Sequence, residues 1–480
     1  MNPARFPKVI LLLLTVTLLL PSCKKDKSSS NDETAAIISD AYIYAYPLIL
    51  MKITENKMTN VIQSTNTGCA PLNQLSHCNT MPDYTFFNVV SPNVDTFYSI
   101  AWLDLEKEPI VVSVPDATLY KPAGAAWRYY LLQIMDAWSN VFASPGVRTN
   151  GPGASTFLIS GPNWSGAVPG GMLHYKSPTN MAWINGRTMV IDQNDATTVM
   201  AFQNAMTIMP LSAWPGPYSP PGGTVNDSID MVTAPVQQVA SLPVEKYFQM
   251  LCDLMKENPA SKDDSAMVRE LAQVGITPGG TFDLSKFPAS EQLAINTGYA
   301  NGKANLINSG HTIQKTTTNG WGFILSDIGA YGNHYDTRAY VAMIGLGANL
   351  PDDAVYPTTT IDNLGDSLTS LHRYTMTFAP GQTPPDSGFW SITLYNDQHF
   401  LVQNEIGRYA IGSYNNLTYN ADSSLTLYIQ KDSTGIPNKS NWLPTAEPDN
   451  SVFNLMMRIY WPRKSVLNNE WKIPAVVRVN

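Results

Sequence analysis

The sequence predicts an α+β fold, predominantly antiparallel β, in which two β-domains of sandwich or barrel type are joined by a helical segment. Residues 84 to 193 are a succession of short strand-like runs broken by Pro, Gly, Asn and Asp. Between about 194 and 315 the apolar residues recur at helical spacing instead. From about 320 to the end the alternation of strands returns.

Taken in order, Thr34 to Met58 reads as a helix, with a kink expected at Pro47 because proline lacks a backbone donor and crowds the preceding turn. The clearest strands are Asp95 to Leu103, Pro109 to Val114, Trp127 to Met135, Ser155 to Ser160 and Met181 to Ile191, at a spacing that suggests an antiparallel sandwich or barrel. Val199, Phe202, Met206 and Met209 then follow Asn194, a good helix N-cap. Val244 to Glu257 and Ala266 to Val274 are two further helices, the second stopped by Gly275. Late in the chain Trp390, Ile392 and Leu394 alternate with Phe389, Ser391, Thr393 and Tyr395, and Leu425, Leu427 and Ile429 alternate with Thr426, Tyr428 and Gln430. Each strand has one core face. No repeat of fixed period is present, which excludes a solenoid or propeller.

The chain has 480 residues, 44% of them hydrophobic but only 14% charged, so neutral polar side chains carry its solubility. A net charge of -8, with no basic run past residue 27, argues against a nucleic-acid partner. At the N-terminus Arg5 and Lys8 precede an apolar run from Val9 to Leu20, which ends in Leu20-Pro21-Ser22-Cys23. This resembles a bacterial lipoprotein signal, which implies cleavage before Cys23, acylation of that cysteine and a lipid anchor in the membrane. Lys24 leans towards the outer membrane by resemblance to sorting patterns. Residues 23–33 are then expected to be a flexible tether. Cys69 and Cys78 flank a short loop and can close a disulfide in an oxidising compartment, while Cys252 reads as a buried helical thiol. His77 is the only other ligand type nearby, so a zinc site is disfavoured.

Two blocks of residues carry a family resemblance. Ala41 to Pro47, Asn93-Val94-Asp95-Thr96-Phe97-Tyr98, Leu103-Asp104-Leu105, Val114-Pro115-Asp116, Arg128-Tyr129-Tyr130 and Asp136 resemble the family called domain of unknown function 1254. Trp390 to Tyr395, Asn404, Arg408-Tyr409, Asn441-Trp442-Leu443-Pro444 and Arg458 to Pro462 resemble its companion, domain of unknown function 1214. The resemblance implies two β-rich domains, the second jelly-roll-like, bridged by helices, and no settled activity. The expected organisation is a signal at 1–22, the tether at 23–33, a helix plus first β-domain at 34–193, a helical bridge at 194–319 and the second β-domain at 320–480.

Candidate site residues fall in four places. Arg128 and Asp136 end one apolar strand, and eight residues at about 3.3 Å each hold them roughly 26 Å apart, so each needs a different partner. Asp95 can serve Arg128 from a neighbouring strand as an internal ion pair; alternatively the Arg and the carboxylate contact a ligand. Asp95 and Tyr98 sit at the start of a strand, where the carboxylate can act as general base, accept hydroxyl hydrogen bonds, or simply close a turn. Asp327, Tyr331, His334, Asp336 and Arg338 are the densest cluster of titratable types and read as a solvated loop, a pocket lining or, less well, metal ligands. Arg373, Asn404, Arg408, Asn441 and Arg458 punctuate aromatic strands, where the aromatics read as core and edge cover of a sandwich or, alternatively, Arg beside Tyr and Trp suits planar or sugar-like ligands. Arg458 alternates with Leu455, Met457 and Ile459 and so faces away from the core.

No phosphate loop, dinucleotide fingerprint, metalloprotease motif or nucleophile elbow is present, and no cofactor is implied. The expectation is a binding protein for a polar small molecule or glycan held between the two β-domains. A cofactor-independent hydrolase built on Asp95 or Asp327 with His334 or Arg128 is the alternative, and a structural or partner-binding envelope component is a third.

Overall fold

In a computed structural model, which describes residues 30–87, 89–311, 313, 315–445 and 451–479, the first helix spans Ser30–Thr59 and continues through Pro47. The expected signal, Cys23 and most of the tether lie outside the described residues, and Ser30 to Glu33 are already helical. By length and composition this helix could cross a membrane, yet 78% of its apolar window is buried inside the protein. It is apolar all round because it is surrounded. Helices Pro235–Ser241, Val244–Glu257, Ser265–Gln273, Ala289–Ser309 and Tyr335–Gly345 pack about it. At Gly302 the packing leaves no room for a side chain, since a Cβ there would stand 2.6 Å from the Tyr42 Cβ.

The first β-domain is a pair of sheets. One has the strand order Ser76–Cys78, Thr96–Asp104, Met181–Met189, Tyr130–Asp136, Val141–Ala143, and all its pairings are antiparallel. The other runs Leu173–Lys176, Ser155–Ser160, Ile110–Val114, Thr207–Pro210, with one parallel pairing at the Leu173–Lys176 edge. Ala101, Leu103, Leu132, Ile134 and Ile184 from the first sheet meet Ile110, Val112, Phe157 and Ile159 from the second. The helix expected to reach Met209 is shorter, Ala196–Asn204, with Asp195 rather than Asn194 as its N-cap. Met209 lies on the strand that follows.

The second β-domain repeats the plan. Phe453–Pro462 and Asp386–Asn396 lie at the centre of one sheet, and Leu425–Gln430 and Arg373–Phe378 at the centre of the other. Trp390, Ile392, Leu394, Leu455, Met457 and Ile459 face Tyr374, Met376, Phe378, Leu427 and Ile429 across a core, as the alternation requires. None of the sheets closes into a barrel, and the fold is α+β as expected.

What places the candidate site is the outward face of the first sheet, which two partners share. Ile100, Trp102, Met135 and Trp183 at one end lie under the helices. At the other end Tyr129 and Leu131 meet Ala354, Phe389 and Tyr460 of the second β-domain. Between these apolar contacts the two β-domains meet through polar groups.

Candidate functional site

The join is built from two strand faces whose period of two points the wrong residues for a core towards each other. On the first sheet, Tyr98 stands directly across the ladder from Arg187, and Arg187 across from Leu131, with Asn185 and Gln133 one step further along the same face. On the second β-domain the facing residues are Ser391, Thr393 and Tyr395 from one strand and Arg458 and Tyr460 from its neighbour.

Asp95 is fully buried and accepts hydrogen bonds from the Ser391 hydroxyl at 2.6 Å and the Tyr414 phenol at 2.7 Å. Its own backbone N–H is held by the Asn93 side chain at 2.8 Å, so the turn after Pro92 is closed by Asn93, leaving the Asp95 carboxylate free to reach across the join. Asn93 also donates to the Tyr460 phenol at 2.8 Å. Arg458, 3% exposed, donates to Thr393 Oγ1 and the Tyr395 phenol, each at 2.7 Å, and to the Ser91 carbonyl at 3.1 Å. It faces away from its own core, as its alternation indicates.

Arg187 lies nearby, 7% exposed, with its guanidinium 5.4 Å from the centre of the Tyr98 ring. Nη1 donates to Gln133 Oε1 at 2.8 Å and Asn349 Oδ1 at 2.6 Å, and Nη2 to the Gly347 carbonyl at 2.8 Å. Gly347 has a φ of +91°, and a Cβ on it would come within 2.6 Å of the Asn185 amide. Asn349 in turn donates to the Tyr356 phenol at 2.7 Å. Tyr356 sits within electrostatic reach of both Arg187 and Arg458; burial raises its phenol, and the two cations oppose that rise. Burial likewise lifts the Tyr414 and Tyr460 phenols well above the ordinary tyrosine range, with Asp95 adding to it.

Tyr356 and Tyr414 are seated deeply enough for desolvation to dominate their phenols, and each nevertheless keeps accessible surface, as do Tyr98 and Asn93. These four side chains lie in the polar part of the join, whereas the part around Tyr129, Leu131 and Phe389 is apolar and packed.

The other expected site residues have separate duties. Arg128 does not pair with Asp95: its two terminal nitrogens bind Asp195 at 2.8 and 2.6 Å, and it also donates to the carbonyls of Tyr120 and Met189. Asp195 stands at the N-cap position of the helix that follows Met181–Met189 and takes the Arg128 guanidinium, while the Asp95 carboxylate is committed to Ser391 and Tyr414. Asp136 clamps the turn that follows its strand, accepting from the backbone N–H of Trp138 and Asn140, each at 2.9 Å. Burial, partly offset by these bonds, raises its carboxyl to about 6. Arg408 ties down the carbonyls of Lys439, Ser440 and Trp442, and Tyr331 is buried against Ile328 and Val341. Arg338 is buried with the rings of Tyr335, Tyr44 and Trp138 each 5.2 to 5.4 Å away, and two of its nitrogens have no hydrogen-bond partner among the described residues.

Asp327 and His334 do come together, 3.8 Å apart, on a separate pocket of about 500 Å3 lined also by Asp40, Ser326, Tyr335 and Asp336. Among the described residues no group of three His, Cys, Asp or Glu is placed to hold a metal ion. Asp95 and Arg128 do not line this pocket, so the four candidate catalytic residues form no single site. Cys69 and Cys78 are free thiols, and Cys252 is buried on its helix as expected. The residues missed from the sequence are Arg187, Asn349, Tyr356 and Tyr414. For Arg187 there was a signal: Asn185 and Arg187 place two polar groups on one face of an otherwise apolar strand.

Residues 72–210 match the model of the family described as Protein of unknown function (DUF1254), and residues 353–464 that of Protein of unknown function (DUF1214). The Asp95, Tyr98 and Arg187 side of the join lies in the first match, and the Ser391, Arg458 and Tyr460 side in the second. Among solved structures the chain is similar to the VPA0106 protein from Vibrio parahaemolyticus, at 20% identity and a TM-score of 0.67 over 94% of this chain and 100% of that one. A putative uncharacterized protein from Burkholderia cenocepacia aligns over 94% of this chain and 95% of its own at 12% identity, with a TM-score of 0.41. The first likeness shows a shared fold. No curated protein matches the chain.

Proposed function

We propose that this chain, which carries the DUF1254 and DUF1214 family domains in tandem, is a binding protein of the cell envelope that takes a polar small molecule into the join between its two β-domains. The observation that carries the reading is the accessible surface on Tyr356 and Tyr414 deep within that join, beside Arg187 and Arg458. Pre-formed polar groups with aromatic faces beside them are what small-ligand sites are made of. The envelope location and the lipid anchor on Cys23 rest on the N-terminal sequence pattern. Labelling of Cys23 by a fatty-acid analogue in a bacterial host tests the anchor; a chain released to the medium without label sinks it.

Binding is tested by thermal shift of the mature chain against polar small molecules and short glycans. Stabilisation that disappears in a Tyr356→Ala variant supports the reading, and a uniform absence of response counts against it. A second reading, a hydrolase, draws on the Asp327 and His334 pair, since both line the same pocket as the Ser326 hydroxyl. It requires ester or amide turnover that is lost on His334→Ala and unaffected by Tyr356→Ala.

A further inference from the structure

The charges at the join do not balance. Arg187 and Arg458 are both buried, and among the described residues neither has a carboxylate within ion-pair distance. Their partners are neutral: Gln133, Asn349 and the carbonyls of Asn185 and Gly347 for Arg187; Thr393, Tyr395 and the Ser91 carbonyl for Arg458. The one carboxylate seated between them and the tyrosines, Asp95, already accepts two hydroxyl hydrogens, one on each oxygen. Two guanidiniums and one carboxylate leave one positive charge in a region where Tyr356, Tyr414 and Tyr460 all show the effect of desolvation.

A buried charge without a counter-charge costs several kcal/mol. The hydrogen bonds around Arg187 hold the guanidinium in place without neutralising it. Such an arrangement is costly by itself and is relieved by a nearby anion, because the guanidinium is already held in place and little reorganisation remains. Arginine is also the residue whose planar fork fits a carboxylate best.

From this we infer that the ligand of the join is a small monocarboxylate, its carboxylate lying against Arg187 and its body against the rings of Tyr98 and Tyr356. The inference rests on the binding role proposed above and adds the chemical class of the ligand. A single negative charge matches the single uncompensated positive one, whereas a phosphate dianion would exceed it. Two further features follow from the geometry. Arg187 is supported from the first sheet by Gln133 and from the loop after helix Tyr335–Gly345 by Asn349 and Gly347, while Tyr356, which Asn349 holds, comes from the second β-domain, so the anion site is complete only when both β-domains are in place. Asn349 also links Arg187 to Tyr356, so the residue that faces the charge and the one that faces the body are positioned together.

The test uses the mature full-length chain and calorimetric titration with benzoate, phenylacetate and cyclohexanecarboxylate, each paired with its primary amide, with inorganic phosphate and neutral sugars as further arms. The acids are expected to bind and the amides to bind at least about tenfold more weakly, because the amide lacks the charge. Arg187→Gln is expected to abolish that preference, with Arg187→Lys restoring part of it, in variants whose circular dichroism matches the wild type. Should Arg187→Gln not fold, Asn349→Ala is used in its place and is expected to weaken the acids while sparing the fold. Equal binding of acid and amide, or tighter binding of phosphate or sugars, overturns the monocarboxylate and leaves the binding role standing. Silence from every arm overturns both.

Discussion

Asp95 and Tyr414 are 319 positions apart in the sequence and meet at 2.7 Å, carboxylate to phenol, across the join of the two β-domains. The Ser391 hydroxyl occupies the other carboxylate oxygen. Hydrogen bonds to a buried charged group contribute about 1.5–3 kcal/mol each. Asp95→Asn removes the charge and one acceptor, so it should lower unfolding stability by about 2–4 kcal/mol, and Tyr414→Phe by about 1–2. Urea titration measures both. Losses below about 0.5 kcal/mol in each would mean the contact does not hold the halves together.

Arg128 depends on a single carboxylate. Its side chain is wholly buried, and Asp195 is its only carboxylate contact among the described residues. Arg128→Met removes both the cation and its desolvation cost, whereas Asp195→Asn strands a buried guanidinium. Breaking such a pair costs about 3–5 kcal/mol, so Asp195→Asn should be the more damaging of the two. The reverse order in equilibrium unfolding contradicts this account.

Asp136 makes stability depend on pH. Its carboxyl is raised from 3.8 to about 6 by burial, against the pull of the Asn140 and Trp138 hydrogen bonds. The folded protein therefore holds this proton more tightly than the unfolded chain does. That contribution is complete below about pH 4 and is lost as the pH rises through about 6. Asp136→Asn, which can still accept from the two backbone N–H groups, should flatten the change. Chemical denaturation of both proteins between pH 4 and 7 is the measurement, and identical slopes would remove Asp136 as the source.

The thiol of Cys78 should be nearly inert. Burial, with the neighbouring Cys69 adding to it, pushes it up to about 12. After reduction, alkylation at pH 8 should be at least about a hundredfold slower than for free cysteine, because the thiolate is the reacting form. Mass spectrometry of the labelled peptide reads the rate; labelling as fast as free cysteine would place the thiol in water.

Much of this architecture was legible where one face of an element is buried. Ser155–Ser160, Val244–Glu257 and Leu425–Gln430 appear with the boundaries their apolar period indicates. The outward orientation of Arg458 followed from the same alternation. Tyr335–Gly345 was not legible as a helix, because a glycine-rich segment leads into it and its apolar residues form no clear stripe. The partner of Arg128 was missed because several carboxylates of the same kind are available in sequence and only the fold selects Asp195, 67 positions away. For Arg187 the polar pair with Asn185 on one strand face was the signal, but which surface that face meets is set by residues far away in the sequence.

The carbonyls of Ser91 and Pro92 are gripped by Arg458 and Tyr395, so a short loop of the first β-domain is clamped by side chains encoded some 300 residues later. Severed from residues 34–319, the C-terminal sandwich would expose Phe389, Tyr395, Arg458 and Tyr460 to water, a sticky face with a charge in its centre. The gene is thus not free to shed either half: a duplication, fusion or split that carried one sandwich away would have to rewrite its inner wall as an outer one.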